Sequence, residues 1–406
     1  MQEANARLGR GRIIQFLPRQ LFISSAREIS ITNFAKSVCS IPANAQKVLF
    51  AGSIRSPDKC STSLVFKTLV FSEVKEFSPV LMTMLFILTG CYDGLARIWE
   101  GGEVSECTHI LEGHNGAITS AKFIEIGGVG TEMNFHVVTG SKDRLLRLWK
   151  CDAAENRENP IRVGAYKIFP GHTEAVQSVT VNSSREMICS GSWDCSIKLW
   201  DVKDSEEDGD GNTISLKKRK VNCMTTEFED AQSEGAATST LMGHTQCVSA
   251  VTWPDPDVLY SASWDHSIRQ WDIPSGKETW TMVGGKALNC LDIGGESSSL
   301  VAAGGSDPVL RIWDPRKPGS LAPIFQFSSH ASWISECKWH PRSWFHLLSA
   351  SYDGKVMLWD LRTAWPLAIM DSHQDKVLCA DWWKGDSVVS GGADSKLRIT
   401  SGIEIE

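Results

Sequence analysis

Three observations in this 406-residue chain predict an all-β fold: a ring of seven four-stranded blades, a β-propeller, preceded by an irregular N-terminal extension. The first is a phased pair. An Asp stands six residues before a Trp at Asp93–Trp99, Asp143–Trp149, Asp194–Trp200, Asp265–Trp271, Asp307–Trp313 and Asp353–Trp359, and a seventh copy keeps Asp394 with Thr400 in the Trp position. The second is the period. Successive Trp spacings are 50, 51, 71, 42 and 46 residues, then 41 to Thr400, which fits a blade of roughly 40 to 45 residues plus loop insertions. The third is a His upstream of most units, as Gly113-His114, Gly171-His172, Gly243-His244, Ser329-His330 and Ser372-His373.

Taken in order, the units read GCYDGLARIW, GSKDRLLRLW, GSWDCSIKLWD, ASWDHSIRQWD, GGSDPVLRIWD, ASYDGKVMLWD and GGADSKLRITS. With the phased His they resemble the WD-repeat β-propellers over about residues 88 to 400. That resemblance implies a buried polar cluster in each blade, in which the His bonds the turn Asp and a strand Ser or Thr links the His to the Trp. The candidate sets are His114, Asp143 and Trp149; His172, Asp194 and Trp200, with Ser190 or Ser192; His244, Asp265 and Trp271; His330, Asp353 and Trp359; and His373 with Asp394. Each trio contains the residue types of a hydrolytic triad. A catalytic triad is needed once, whereas this trio recurs blade after blade, so it reads as a fold determinant and the chain as non-catalytic.

Composition agrees with a soluble intracellular protein: 42% hydrophobic and 22% charged residues, sixteen Trp and a net charge of −7. The longest apolar run, Val80 to Leu88, contains Thr83 and falls well short of the roughly 20 residues that cross a bilayer, so no membrane association is expected. Twelve Cys are scattered through strand-like patterns without the density of a small secreted scaffold, and reduced thiols are expected. No Cys-x-x-Cys occurs, which argues against a zinc ribbon. The stretch with Asp208, Asp210 and Asn212 starts like a calcium loop, but Thr213 and Arg219 stand where the turn Gly and bidentate Glu belong. Gly284-Gly285-Lys286 lacks the upstream Gly of a phosphate loop. No metal and no cofactor are expected.

Individual function is sought where the repeat is broken. The 71-residue step from Trp200 to Trp271 carries a charged insert at about residues 202–240, acidic at Asp204 to Asp210, basic at Lys217, Lys218, Arg219 and Lys220, then acidic again. The basic quartet fits a nuclear-import signal, and Ser205, followed by Glu206, Glu207 and Asp208, is an acidic-directed phosphorylation candidate. A second departure is the residue before the turn Asp: Tyr92, Trp193, Trp264 and Tyr352. In the propeller family this turn lies on the top face beside the central channel, where such rings suit protein recognition or pack on neighbouring loops. The third departure is residues 1–88, with eleven Lys or Arg against five Asp or Glu, a net of +6 that leaves −13 on the remainder. Arg7, Arg10, Arg12, Arg19 and Arg27 with few acids also resemble a transit peptide, against which Glu3 and the Lys217–Lys220 quartet argue.

The wording of the blades carries a closer resemblance. LTGCYDGLARIW, LEGHNGAITS, CSGSWDCSIKLWD, SASWDHSIRQWD, SASYDGKVMLWDLR and HQDKVLCADWW look like the WD-repeat subunit family of the pescadillo (PeBoW) complex, which assembles the large ribosomal subunit. The resemblance implies a protein-interaction scaffold of the nucleolus and nucleoplasm within a pre-60S particle. Its implied partners are pescadillo and a second WD-repeat factor, and its implied role is to support maturation of the large ribosomal RNA and the 5.8S species. Family members begin with a ubiquitin-like domain that engages the ATPase midasin. No such domain is recognisable in residues 1–88, so midasin binding is not carried over.

The expected division is an extension over 1–62 and a propeller over 63–406. Either 402–406 or a segment such as Ser63 to Phe71 is expected to supply the strand that closes the ring. An alternative of a different class is a substrate receptor of a cullin-type ubiquitin ligase. It rests on Trp313-Asp314-Pro315-Arg316 and Trp359-Asp360-Leu361-Arg362, with Arg316 and Arg362 as the adaptor contacts. The net negative propeller disfavours broad phosphate contact, so RNA is expected to be reached through partners.

Overall fold

The computed structural model describes residues 51–53, 66–74, 84–100, 106–127, 134–152, 159–202, 233–295, 299–317, 322–363, 365–383 and 387–403. Among these the chain is built of strands and forms seven sheets in a seven-bladed β-propeller. The second strands show why. Met187–Ser192 (MICSGS), Val258–Ser263 (VLYSAS) and His346–Ser351 (HLLSAS) are buried along nearly their whole length, as expected of strands covered on both faces. Each ends in Ser-Gly-Ser or Ser-Ala-Ser because the neighbouring blade presses there. A Cβ added to Gly140 would sit 2.7 Å from Val176 Cγ1, and one on Gly191 would sit 2.7 Å from Val248 Cγ1.

Blade 1 runs Phe66–Val74, Met84–Cys91, Ala96–Glu100 and Glu106–Leu111 from the axis outward. Blade 3 is Val176–Val181, Met187–Ser192, Ser196–Asp201 and Ala237–Met242, and blade 6 is Ile334–Trp339, His346–Ser351, Lys355–Asp360 and Pro366–Asp371. Innermost strands touch in sequence around the axis, and Phe66–Val74 of blade 1 meets Val377–Trp383 of blade 7. Seven apolar clusters lie between successive blades. One of them packs Ile87, Cys91 and Trp99 of blade 1 against Cys379, Trp383, Val389, Leu397 and Ile399 of blade 7.

Closure differs from both alternatives read from the sequence. Ala51–Ser53 pairs antiparallel with Lys396–Ser401 as the outer strand of blade 7, register Ala51↔Arg398 to Ser53↔Lys396. Phe66–Val74 is already committed as the innermost strand of blade 1, paired with Met84–Cys91, and Gly402 and Ile403 lie outside any strand, Ile403 being packed between blades 6 and 7. The ring therefore includes residues that the sequence division assigned to the extension. A strand from the other end of the chain gives blade 7 its fourth strand and closes the circle, leaving only a short outer edge there.

Two connections also cover outer edges. Ile161–Val163 adds in parallel to blade 1 beside Glu106–Leu111, and Ser233–Glu234 adds in parallel to blade 2 beside Lys167–Phe169. The charged insert thus returns by way of blade 2 before pairing in blade 3. Residues 203–232, including Lys217 to Lys220 and Ser205, lie outside the described residues, as does most of 1–65.

Candidate functional site

Strand registers define two faces of the ring. In blade 6, Ile334 pairs with Ser351 at the end that bears His330 and the Asp353 turn, while Trp339 pairs with Leu347 and Trp359 with Pro366 at the other. One face therefore carries the His loops and Asp turns, and the opposite face carries the other two loops of each blade.

On the first face, five blades repeat one polar chain. In blade 6, His330 Nδ1 lies 2.9 Å from Asp353 Oδ2, its Nε2 lies 2.7 Å from Ser349 Oγ, and Trp359 Nε1 donates to the same Oγ at 2.7 Å. Blade 2 uses His114, Asp143, Thr139 and Trp149 at 2.7–2.8 Å. Blade 3 uses His172, Asp194, Ser190 and Trp200, and blade 4 His244, Asp265, Ser261 and Trp271. Blade 7 joins His373 to Asp394 and Ser390, without the indole. Of the two serines left open in blade 3, Ser190 makes the link, while Ser192 donates to the Ala175 carbonyl and accepts from the Asp194 N–H. The linking hydroxyl, ten residues before the Trp in every complete set, is the member the motif alone did not pick out.

Electrostatics follow from this arrangement. Burial pushes the His114 and His330 imidazoles below their ordinary value against the pull of Asp143 and Asp353, so both rings stay neutral. Burial pushes Asp353 up, but the Ala331 N–H and His330 outweigh it and hold the carboxyl below the usual range. With the carboxylate accepting Nδ1–H, a neutral ring leaves Nε2 as acceptor; the hydroxyl donates to it and accepts from the indole. Each group in the chain is used, so none of these serines is a free nucleophile.

Blades 1 and 5 are built differently. Asp93 pairs with Arg97 at 2.7 Å, and Asp307 is held by Arg311 through both carboxylate oxygens. Blade 5 has Ala303 where the linking hydroxyl belongs, and the buried Trp313 Nε1 has no partner among the described residues.

In the five blades with the His–Asp pair, the residue before the turn Asp is aimed by one backbone bond: its N–H donates to the carbonyl of the residue three after the His. Trp193 bonds to Ala175, Trp264 to Cys247, and Tyr352 to Trp333. Trp193 and Tyr92 are 45% and 46% exposed, whereas Trp264 and Tyr352 are half-buried. Trp193 and Trp264 meet at 5.1 Å between centroids, and the Trp193 indole donates to Gln177. Tyr352 has Trp333 at 6.1 Å, nearly parallel, and Lys376 Nζ 5.1 Å from its ring centroid; Lys142 stands over Tyr92 in the same way. Trp333 was missed in the sequence. Its signal was positional: blades 2, 3 and 4 carry Ala117, Ala175 and Cys247 at that place, and blade 6 carries Trp.

Half-buried charges also converge from four innermost strands: Lys122, Asp292, Glu336, Lys338 and Asp381. Burial disfavours the Lys338 cation, but Glu336, Asp292 and Asp381 outweigh it and raise its pKa. Among the described residues no group of three or more His, Cys, Asp or Glu is gathered to hold a metal ion, and no helix is long and apolar enough to cross a membrane. Arg316 and Arg362 each pair with the Asp two residues earlier, Asp314 and Asp360, at 2.8 Å.

The family model described as WD domain, G-beta repeat, matches residues 105–150, 165–201, 235–272, 321–360 and 364–401. These are the blades with the His–Asp pair, and the two unmatched blades are those with the Arg–Asp substitute. The chain is 71% identical over 320 residues to a rice protein (Oryza sativa subsp. japonica) named Ribosome biogenesis protein WDR12 homolog, covering 79% of this chain and 72% of that one. A protein of the same name from Arabidopsis thaliana is 61% identical over the same shares, and one from Chlamydomonas reinhardtii is 33% identical over 77% of this chain and 70% of its own. These names lend no support to the ubiquitin-ligase alternative.

Proposed function

The chain belongs to the WD-repeat family of ribosome biogenesis proteins to which its rice and Arabidopsis relatives belong, and from that premise we propose that it is a non-catalytic scaffold in assembly of the large ribosomal subunit. The observation that carries this reading is the 71% identity over 79% of the chain. The geometry supports the non-catalytic part, because each Ser–His–Asp set is spent on holding its own blade.

In this reading the face of His loops and Asp turns docks the partners, pescadillo and a second WD-repeat protein within a pre-60S particle. Tyr92, Trp193, Trp264 and Tyr352 are the anchors. Backbone bonds and ring contacts fix Trp193, Trp264 and Tyr352, and Lys142 stands over Tyr92, before any partner arrives, which lowers the ordering cost of association, and large amphipathic rings dominate interface energetics. The protein acts in the nucleus, nucleolus and nucleoplasm and supports maturation of the large-subunit and 5.8S RNAs by holding those partners together.

The test is purification of the tagged chain from nuclear extract, with mass spectrometry and hybridisation to large-subunit RNA precursors. Recovery of pescadillo, its WD-repeat partner and precursor RNA is expected. A recovered set without these proteins and without precursor RNA contradicts the reading.

A further inference from the structure

The opposite face of the ring carries a second surface of different chemistry. Two loops of blade 6 meet there: residues 340–345, after Ile334–Trp339, and residues 361–363 with Trp365, after Lys355–Asp360. The Leu361 N–H donates to the Phe345 carbonyl at 2.9 Å and joins them. Together they expose three rings, Trp365 at 70%, Trp344 at 56% and Phe345 at 42%. Ile324 of blade 5 and Leu361 pack on the same apolar cluster.

The rings stand on a braced loop. The Arg342 N–H donates to His340 Nδ1, Ser343 Oγ lies 2.6 Å from His346 Nδ1, and the His340 ring stands edge-on to Trp382 at 4.5 Å. The charge between the rings is positive. Arg342 is exposed, the Arg362 guanidinium lies 5.1 Å from the Phe345 ring centroid, and the Arg362 side chain is more than half exposed while its partner carboxylate, Asp360, is buried beneath it. What solvent meets at this patch is guanidinium and aromatic ring.

We propose that this patch, formed by Arg342, Trp344, Phe345, Arg362 and Trp365, binds single-stranded RNA directly. Stacking platforms interleaved with cations suit a phosphate backbone with unpaired bases, because every base offers a π-face and every phosphate a negative charge. The net negative charge of the whole propeller does not oppose this, because screening confines electrostatics at the patch to about 8–10 Å at ordinary salt. The inference stands on this surface alone and is independent of which proteins the other face docks.

The test uses the full chain and a fluorescein-labelled 12-nucleotide oligouridylate, read by fluorescence anisotropy at two salt concentrations. Binding that weakens with salt is expected. Trp344→Ala and Trp365→Ala should each weaken it roughly 5- to 150-fold, from about 1–3 kcal/mol of stacking per base, and Arg342→Gln should reduce the salt slope by about one. Met242→Ala, exposed on blade 3, should bind like the parent, and all variants should melt with it, since the substituted side chains are exposed. Absence of binding by the parent, or unchanged affinity in both Trp variants, overturns the proposal. So does loss of a co-purifying protein from those variants with RNA affinity intact, which would make the patch a protein-docking surface.

Discussion

Removing one hydroxyl should expose how much each blade depends on its polar chain. Ser349 is fully buried, and its Oγ serves two groups at once, the His330 imidazole at 2.7 Å and the Trp359 indole at 2.7 Å. Ser349→Ala leaves both without a partner in a site closed to water. Each stranded buried group costs about 1–3 kcal/mol, so the variant should lose about 2–6 kcal/mol. For a cooperative unit of roughly 300 residues, at about 2.1 cal/mol/K per residue, that is a fall of about 3–9 °C in the melting midpoint. Thermal unfolding followed by circular dichroism reads it. Ser349→Thr is the control, because blades 1 and 2 use Thr89 and Thr139 at the same place and bond their Trp through them. Blade 5 supplies the reverse experiment: Ala303→Ser should give Trp313 Nε1 its missing acceptor and raise stability by about 1 kcal/mol. A Ser349→Ala midpoint within 1 °C of the parent would mean that the hydroxyl does not hold the blade.

Three further outcomes are expected. Burial lowers the folded-state pKa of His114 and His330 below their ordinary 6.5, so between that value and the lower folded one the unfolded chain binds protons that the native chain does not. Their contribution is full above pH 6.5 and is lost as pH falls below it; urea midpoints that do not decline from pH 7 toward pH 5 would contradict this. Cys195 holds φ at 67° in the turn after Asp194, a conformation costly for any residue with a Cβ; Cys195→Gly should therefore stabilise by about 0.5–1 kcal/mol, and a lower melting midpoint would count against it. Deleting Lys217 to Lys220 should move a fluorescent fusion out of the nucleus, and an undisturbed nuclear signal would remove the import role.

Much of this architecture was legible because one pattern had to be satisfied repeatedly. Asp143 and Trp149, Asp194 and Trp200, and Asp353 and Trp359 are spaced by the turn and strand between them, so their period reports the blade directly. The linking hydroxyl was harder to place, because Ser190 and Ser192 both lie on the same strand and only the register to Trp200 separates them. Closure was not legible at all. The strand Ala51–Ser53 is three residues long and pairs with a partner more than 300 residues away, and so short a segment has no periodicity to read. The exposed surfaces were legible in part. Tyr92, Trp193, Trp264 and Tyr352 stood out against the repeat, but Trp333, Trp344 and Trp365 lie in loops whose faces only the strand registers reveal.

If the face of His loops and Asp turns holds the ribosome-assembly partners, removing its rings should release them. The most direct test is parallel purification of the parent chain and of a Trp193→Ala/Tyr352→Ala variant from nuclear extract, each first verified to melt cooperatively. The parent should recover pescadillo, its WD-repeat partner and large-subunit RNA precursor, and the variant should lose the protein partners at least tenfold. Equal recovery by the two chains would contradict docking on that face.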